Sequence, residues 1–312
     1  MPLAFVFPGQ GSQAVGMGKA LAEAFAPARE VFEEVDEALS HRLSRLMFDG
    51  PEPDLTLTEN AQPALMAVSL AVVRVLERQG GLRLGTALRF VAGHSLGEYS
   101  ALAAAGAISL ADAARLLRRR GQAMQQAVPV GVGAMAALLG AEIEVARAVA
   151  EAAAGSDVCQ VANDNAPGQI VLSGHAVAIE RALEMAKERK LKAIRLPVSA
   201  PFHCRLMAPA AEVMAEAMDK IAWRAPVVPV VCNVEARAAS DPAELKALLV
   251  RQVTGLVRWR ESVLFMKDQG VDTLVEVGAG KVLSGMVKRI DRELTSLAVG
   301  TPQDIEAYAK VG

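Results

Sequence analysis

The chain has 312 residues, 52% of them hydrophobic and 22% charged, with a formal net charge of −2. That composition excludes global disorder, lacks the basic excess of an ordinary nucleic-acid binder and, with only 4% aromatic residues, speaks against an aromatic-rich β-sandwich. The length exceeds the roughly 250–300 residues at which a single core stops growing, which predicts a large domain with a smaller lobe, or two domains.

Leu3 to Phe7 reads as a short buried strand. It stops at Pro8-Gly9-Gln10-Gly11-Ser12-Gln13, a loop whose glycines let the backbone approach another group closely. No basic residue precedes Lys19, so the start does not read as a secretory signal. A helical stretch follows to about Leu39, and Asn60 to Arg74 reads as a buried helix with Pro63 in its first turn. Arg89 to Ala92 is a strand, and Gly93-His94-Ser95-Leu96-Gly97-Glu98 turns it into a long Ala-rich helix. Ser109 and Asp112 form a capping box, opening a helix to about Gln126. The uncharged window from Gly121 to Ala141 is long enough to span a bilayer. Its three glutamines, Pro129 and four glycines argue against that, so no membrane is expected.

From Val128 the texture changes. Gly133–Gly140 reads as a strand, Glu142–Ala153 as a helix, and Val158–Ala162 and Gln169–Ser173 as strands. Ala176–Lys190 then reads as a helix and Leu191–Val198 as a strand. The order βαββαβ predicts a ferredoxin-like lobe at residues 128–197, inserted into a core formed by residues 1–127 and 198–312. Val227–Asn233 and Thr273–Val277 resume short buried strands near helices, which predicts an α/β core with a mainly parallel sheet. The cysteines (Cys159, Cys204, Cys232) are odd in number and lack CxxC spacing. They argue against a disulfide scaffold or zinc ribbon and fit a reducing cytoplasm.

Gly93-His94-Ser95-Leu96-Gly97 fits the nucleophile elbow G-x-S-x-G, with a strand before it and a helix after. Such a turn lifts the serine oxygen out of the sheet and aims the following amide at a developing oxyanion. Read without chemistry, it is a glycine-flanked turn. A serine needs a base, and there are four histidines. His41 lies in a polar helical stretch, His94 adjoins the serine but points away from it, and His175 starts a lobe helix. That leaves His203, a few residues beyond a strand, where catalytic loop residues of α/β folds sit.

On the helix from Leu110, Arg120 falls at about 280°, among Ala113, Leu117 and Met124 at about 300°, 340° and 320°. Arg118 and Arg119 fall on the solvent side. An arginine facing a core must meet an anion. That anion is either one of the chain's own carboxylates or a carboxylate carried by a substrate. No metal site is legible: H-E-x-x-H is absent, and Gly278-Ala279-Gly280-Lys281 lacks the spacing of a phosphate loop.

With these residues assembled, the chain resembles the malonyl-CoA:acyl carrier protein transacylases of type II fatty acid synthesis along nearly its whole length. The resemblance rests on Phe7 to Gln13, the Gly93–Glu98 elbow, Arg120-Gly121, Asn163 to Gln169, Phe202-His203, Arg251-Gln252 and Glu276 to Lys281, in that order. It departs from many members where Ala279 and Leu256 stand in place of prolines. The resemblance implies an α/β-hydrolase-like core with an inserted ferredoxin-like lobe. It implies Ser95 as the acylated nucleophile, His203 as its base and the Gln252 carbonyl as the group that orients the imidazole. The main-chain amides of Gln10 and Leu96 would form the oxyanion hole, and Arg120 would hold the malonyl carboxylate. Phe202 resembles the malonyl-selective version of its loop.

The expected reaction is a ping-pong transfer of malonyl from malonyl-CoA to the phosphopantetheine thiol of holo acyl carrier protein, with no metal or redox cofactor. A serine thioesterase on the same elbow, and an acyltransferase serving polyketide synthesis, are the alternatives. A non-catalytic scaffold would be marked by loss of Ser95 or His203, and both are present. The expected protein is a cytoplasmic monomer binding neither nucleic acid nor membrane. Because carrier proteins are acidic, Lys187, Arg189, Lys190 and Lys192, with Arg118 and Arg119, are candidate docking cations, unless they are an ordinary solvated face.

Overall fold

The computed structural model describes residues 2–310. Ten strands form two sheets: β1 (Leu3–Phe7), β2 (Leu88–Gly93), β3 (Gly133–Leu139), β4 (Cys159–Ala166), β5 (Gln169–His175), β6 (Lys192–Arg195), β7 (Val230–Cys232), β8 (Arg237–Ala239), β9 (Thr273–Val277) and β10 (Thr295–Val299). The larger sheet has the order β10-β9-β1-β2-β7-β8 and is parallel except for the edge pair β7–β8. β1 and β9 are buried almost throughout, the pattern of strands covered by helices on both faces. This is the mainly parallel α/β core expected.

β1 lies between β2 and β9, so the loops after β1 and β2 emerge side by side at the carboxyl end of the sheet. The register pairs Phe7 with Gly93, which places the Gln10 loop against the Ser95 turn. The smaller sheet, of order β4-β5-β3-β6, is wholly antiparallel and carries the helices Ile143–Ala154 and Ala176–Glu188, the ferredoxin-like arrangement. It is tied to the core by main-chain bonds: Asp164 N–H donates to Val257 O and Val257 N–H to Ala162 O, both at 2.9 Å. The carboxylate of buried Asp164 also accepts from Arg260 Nε at 3.0 Å.

Several local expectations need correction. The elbow helix is short, Gly97–Ala104, because Gly106 turns with φ of 74° and Ser109 caps a new helix, Leu110–Gln126. Ser109 Oγ accepts from Asp112 N–H, but the Asp112 carboxylate accepts from the Ser109 hydroxyl and from Arg115, so the box is not reciprocal. The buried helix runs Thr58–Arg78, which puts Pro63 inside it and not in its first turn. β6 stops at Arg195, freeing Leu196 to Val198, and β7 spans only Val230–Cys232, freeing Asn233. β8 and β10 were not foreseen from the pattern. Both are short edge strands, and β10 is largely exposed.

Candidate active site

β2 ends at Gly93, and Ser95 follows in the left-handed region with φ of 54°. For a serine that conformation is strained and needs outside support. Asn233, released by the end of the neighbouring β7, supplies it: its Oδ1 accepts the Ser95 N–H at 2.8 Å and its Nδ2 donates to Gly93 O at 2.7 Å. The flanking glycines are required by packing. A Cβ on Gly93 would lie 1.9 Å from the Gly97 carbonyl, and one on Gly97 would lie 2.2 Å from Phe7 O.

His203, also left-handed with φ of 57°, is buried with its Nε2 2.7 Å from Ser95 Oγ. Its Nδ1 lies 2.9 Å from the main-chain oxygen of Gln252. A carbonyl only accepts, so Nδ1 carries the proton and Nε2 receives the serine hydroxyl. Burial, and secondarily the Arg120 charge, push the imidazole down to about 3. It is therefore a neutral base at physiological pH. Its orienting group is a carbonyl and not a carboxylate.

Arg120 is 2% exposed and pairs with no carboxylate among the described residues. Its guanidinium donates to Gln62 Oε1 at 2.9 Å, Gln252 Oε1 at 3.0 Å and Ser95 Oγ at 3.2 Å, while Nε has no partner. Its Cζ stands 5.6 Å from the Tyr99 ring centroid. Neutral amides and a ring offset part of the desolvation cost and leave the charge unmatched. Of the two anions open to this arginine, the internal one makes no ion pair with it: Glu98 reaches it only through the Gln252 amide.

These groups open on a cavity of about 680 Å³ lined on its polar side by Gln10, Gln62, Ser95, Asn163, Asn165 and His203. Met124, Met135, Val171, Leu196, Phe202 and Met286 give it an apolar wall. Leu196 belongs to the segment freed by the end of β6, and Met135 and Val171 are lobe residues, so the lobe forms one side. Gln10 and Leu96 both line the cavity, and no hydrogen bond to another described residue occupies either N–H.

The other histidines make no hydrogen bond to Ser95 Oγ. His41 is exposed, and His175 stands at the N-cap of its helix beside Asp157, its Nδ1 accepting the Val158 N–H at 3.1 Å and not capping the helix. His94 pairs with Asn165 Oδ1 at 2.8 Å and stacks edge-on with Trp259, holding lobe to core beneath the elbow. The Glu276-to-Lys281 motif has a structural use: Glu276 accepts from the Leu283 and Ser284 amides at 3.0 and 2.7 Å, capping the helix Val282–Ile290 that borders the cavity.

Asn233, Gln62, Glu98 and the side chain of Gln252 belong to the site and were not found from the sequence. Asn233 carried a weak signal, as a polar residue at the carboxyl end of a strand. Gln62 sits as a buried amide just ahead of the apolar run Pro63 to Val68, and Glu98 as an acid in the turn after the elbow.

A family model described as an acyl transferase domain matches residues 4–312. The malonyl CoA-acyl carrier protein transacylase of Bacillus subtilis (strain 168) is 47% identical over 306 residues, covering 97% of this chain and 95% of its own. The solved acyl-carrier-protein S-malonyltransferase of Bartonella henselae is 55% identical, with a TM-score of 0.97 over 100% of this chain and 99% of that one. A second solved structure, 40% identical with a TM-score of 0.96 over 100% of both chains, is a malonyl-transacylase in complex with its type II PKS acyl-carrier protein.

Proposed function

This chain belongs to the acyl transferase domain family, and we propose that it moves a malonyl group from malonyl-CoA to the phosphopantetheine thiol of holo acyl carrier protein, supplying fatty acid synthesis. The observation that carries the substrate is Arg120, a buried cation with no ion pair among the described residues, 3.2 Å from the Ser95 oxygen. A malonyl thioester has a free carboxylate two carbons from its reacting carbonyl. It is short enough to meet Arg120 while that carbonyl meets Ser95.

In the first half-reaction Ser95 Oγ bonds to the thioester carbonyl as its proton passes to His203 Nε2. The resulting oxyanion is held by the Gln10 and Leu96 amides, each worth about 10²–10³ in rate. Collapse breaks the carbon–sulfur bond, and CoA leaves with the proton from His203. In the second half-reaction the carrier thiol gives its proton to the same nitrogen and its sulfur attacks malonyl-Ser95. The carbon–oxygen bond breaks and Ser95 recovers its proton. The left-handed turn presents Oγ to both acceptors, and the Gln252 carbonyl keeps Nε2 unprotonated between turnovers. No step calls for a metal or redox cofactor.

The four-stranded sheet confined to Gly133–Arg195 supports drawing the lobe at residues 128–197. Three free, buried cysteines support a reducing, cytoplasmic setting. A net charge of −2 supports a protein that does not bind nucleic acid, and we take the working unit to be a monomer.

The test is intact-protein mass after brief mixing with malonyl-CoA, and again after adding holo carrier protein. A malonyl adduct that is absent in Ser95→Ala and passes to the carrier is the expected result. An adduct lost to water at the same rate with or without carrier would make the protein a thioesterase. Preference for a polyketide carrier over a fatty acid carrier would move the pathway to polyketide synthesis, as for the PKS neighbour.

A further inference from the structure

Glu98 stands in the first turn of the helix after the elbow and is 1% exposed. Burial pushes its carboxyl up to about 7. It touches neither the cavity nor Ser95 Oγ, so the transfer chemistry leaves it without a role. One of its oxygens, Oε2, accepts two hydrogen bonds, from Asn233 N–H at 3.0 Å and from Gln252 Nε2 at 2.9 Å.

Those two donors hold everything around the nucleophile. Asn233 accepts the Ser95 N–H. Gln252 Nε2 donates to the Ser95 carbonyl at 2.9 Å, its Oε1 accepts from Arg120, and its main-chain oxygen receives His203 Nδ1. The strained Ser95 is thus gripped at both its N–H and its C=O, and a single carboxyl oxygen braces both grips.

A primary amide turned end for end has nearly the same shape but the opposite polarity. A carboxylate oxygen only accepts, so Glu98 requires Gln252 to present its NH₂. The Ser95 carbonyl requires the same end. The amide oxygen is then left facing Arg120. Turned round, oxygen would oppose oxygen at Glu98, and NH₂ would oppose the guanidinium.

We propose that Glu98 is a positioning residue for malonyl selection: by setting the direction of the Gln252 amide it keeps Arg120 aimed at the acyl site, and through Asn233 it holds the Ser95 turn. This rests on the reading of Arg120 as the malonyl clamp. Removing Glu98 then harms malonyl transfer more than acetyl transfer, which a general structural weakening would not do.

The experiment is a double-mutant cycle of Glu98→Leu and Gln252→Leu, with kcat/KM measured for malonyl-CoA and acetyl-CoA, and Glu98→Gln as the conservative variant. Glu98→Leu should lose roughly ten- to a hundredfold on malonyl-CoA and several-fold less on acetyl-CoA. Glu98→Gln, whose amide oxygen accepts the same two bonds, should recover most of that loss. In the malonyl-to-acetyl ratio the double variant should be no worse than Gln252→Leu, because on Arg120 Glu98 acts through Gln252, while the Asn233 arm bears on both substrates alike.

Additive losses in that ratio, equal losses on the two substrates, or no recovery by Gln would overturn the proposal. If Glu98→Leu does not fold, Gln252→Leu decides, since its main-chain carbonyl still reaches His203. An unchanged malonyl-to-acetyl ratio there breaks the chain of contacts. A wild-type protein that takes no malonyl group would instead sink the clamp reading and the selectivity claim with it.

Discussion

Arg120 donates to Ser95 Oγ at 3.2 Å while His203 Nε2 lies 2.7 Å from the same oxygen. The proposed nucleophile is therefore held between its proposed base and a cation that has no ion-paired carboxylate among the described residues. That cation contributes, after burial, to keeping His203 weakly basic. A substrate carboxylate reaching Arg120 would match the charge and relieve this effect, so selection of the acyl group and activation of the base meet at one side chain.

Arg120→Ala should therefore cut malonyl transfer more than acetyl transfer. A hydrogen bond to a charged group is worth about 1.5–3 kcal/mol, so the malonyl-to-acetyl ratio should fall roughly ten- to a hundredfold. Competition between the two thioesters for Ser95, read by adduct mass, measures it. Survival of the wild-type ratio would remove Arg120 from substrate recognition.

The elbow glycines are packing positions, which predicts a contrast in stability. Gly93→Ala and Gly97→Ala would push a Cβ to 1.9 and 2.2 Å from main-chain atoms. Each should cost about 3 kcal/mol or more, because main chain of the elbow helix, for Gly93, or of the end of β1, for Gly97, must move. Gly106→Ala meets nothing within 4 Å and strains only a positive φ of 74°, so it should cost about 1 kcal/mol. Urea unfolding of the three variants tests the order, and equal midpoints would contradict it.

His203 and Glu98 should give stability opposite pH slopes. Folding lowers His203 from 6.5 to about 3, so its contribution is complete above pH 6.5 and is lost as pH falls toward 3. Folding raises Glu98 from 4.5 to about 7, so its contribution is complete below pH 4.5 and is lost as pH rises through 7. The groups setting Glu98 are the Asn233 amide and Cys232 thiol from the β7 side, Gln252, and Arg120 across the site. Unfolding free energies from pH 4 to 8 should show His203→Asn losing less toward acid than wild type, and Glu98→Gln losing less toward neutral pH. Parallel curves for all three proteins would refute both assignments.

The same shifts bear on rate. His203 is already neutral at pH 5, so kcat/KM for malonyl-CoA should lack an acid limb in the ordinary histidine range. A limb near pH 7 should disappear in Glu98→Gln. One that persists in that variant would return the titration to His203.

Lys190 and Lys192 are exposed at the start of the strand that leads into Leu196 and the cavity wall. If they meet an acidic carrier, reversing both to Glu should raise KM for the carrier several-fold at low salt and leave malonylation of Ser95 by malonyl-CoA untouched. An unchanged KM would remove this patch from the docking surface.

Much of this molecule was legible in its residue pattern. The alternation of strands and helices marked the α/β core, and the βαββαβ order marked the lobe's strands and helices. The G-x-S-x-G spacing located Ser95, and the helical stripe placed Arg120 inward. Each is a short-range signal, set by the period of a strand or helix or by the sterics of one turn. Family resemblance supplied the Gln252 carbonyl and supported His203, which spacing alone reached only by elimination. What surrounds Ser95 was decided by tertiary structure: Arg120, His203, Asn233 and Gln252 lie 25, 108, 138 and 157 positions from it. Periodicity says which face is buried, but the partner of a buried polar group depends on which strands become neighbours. Here β1 and β2 pair and β7 flanks them, bringing Asn233, Glu98 and Gln252 together behind the nucleophile. Only that packing bears on the two readings of Arg120: carboxylates were available in the composition, but among the described residues none forms an ion pair with it, and Glu98 stands one amide away behind Gln252.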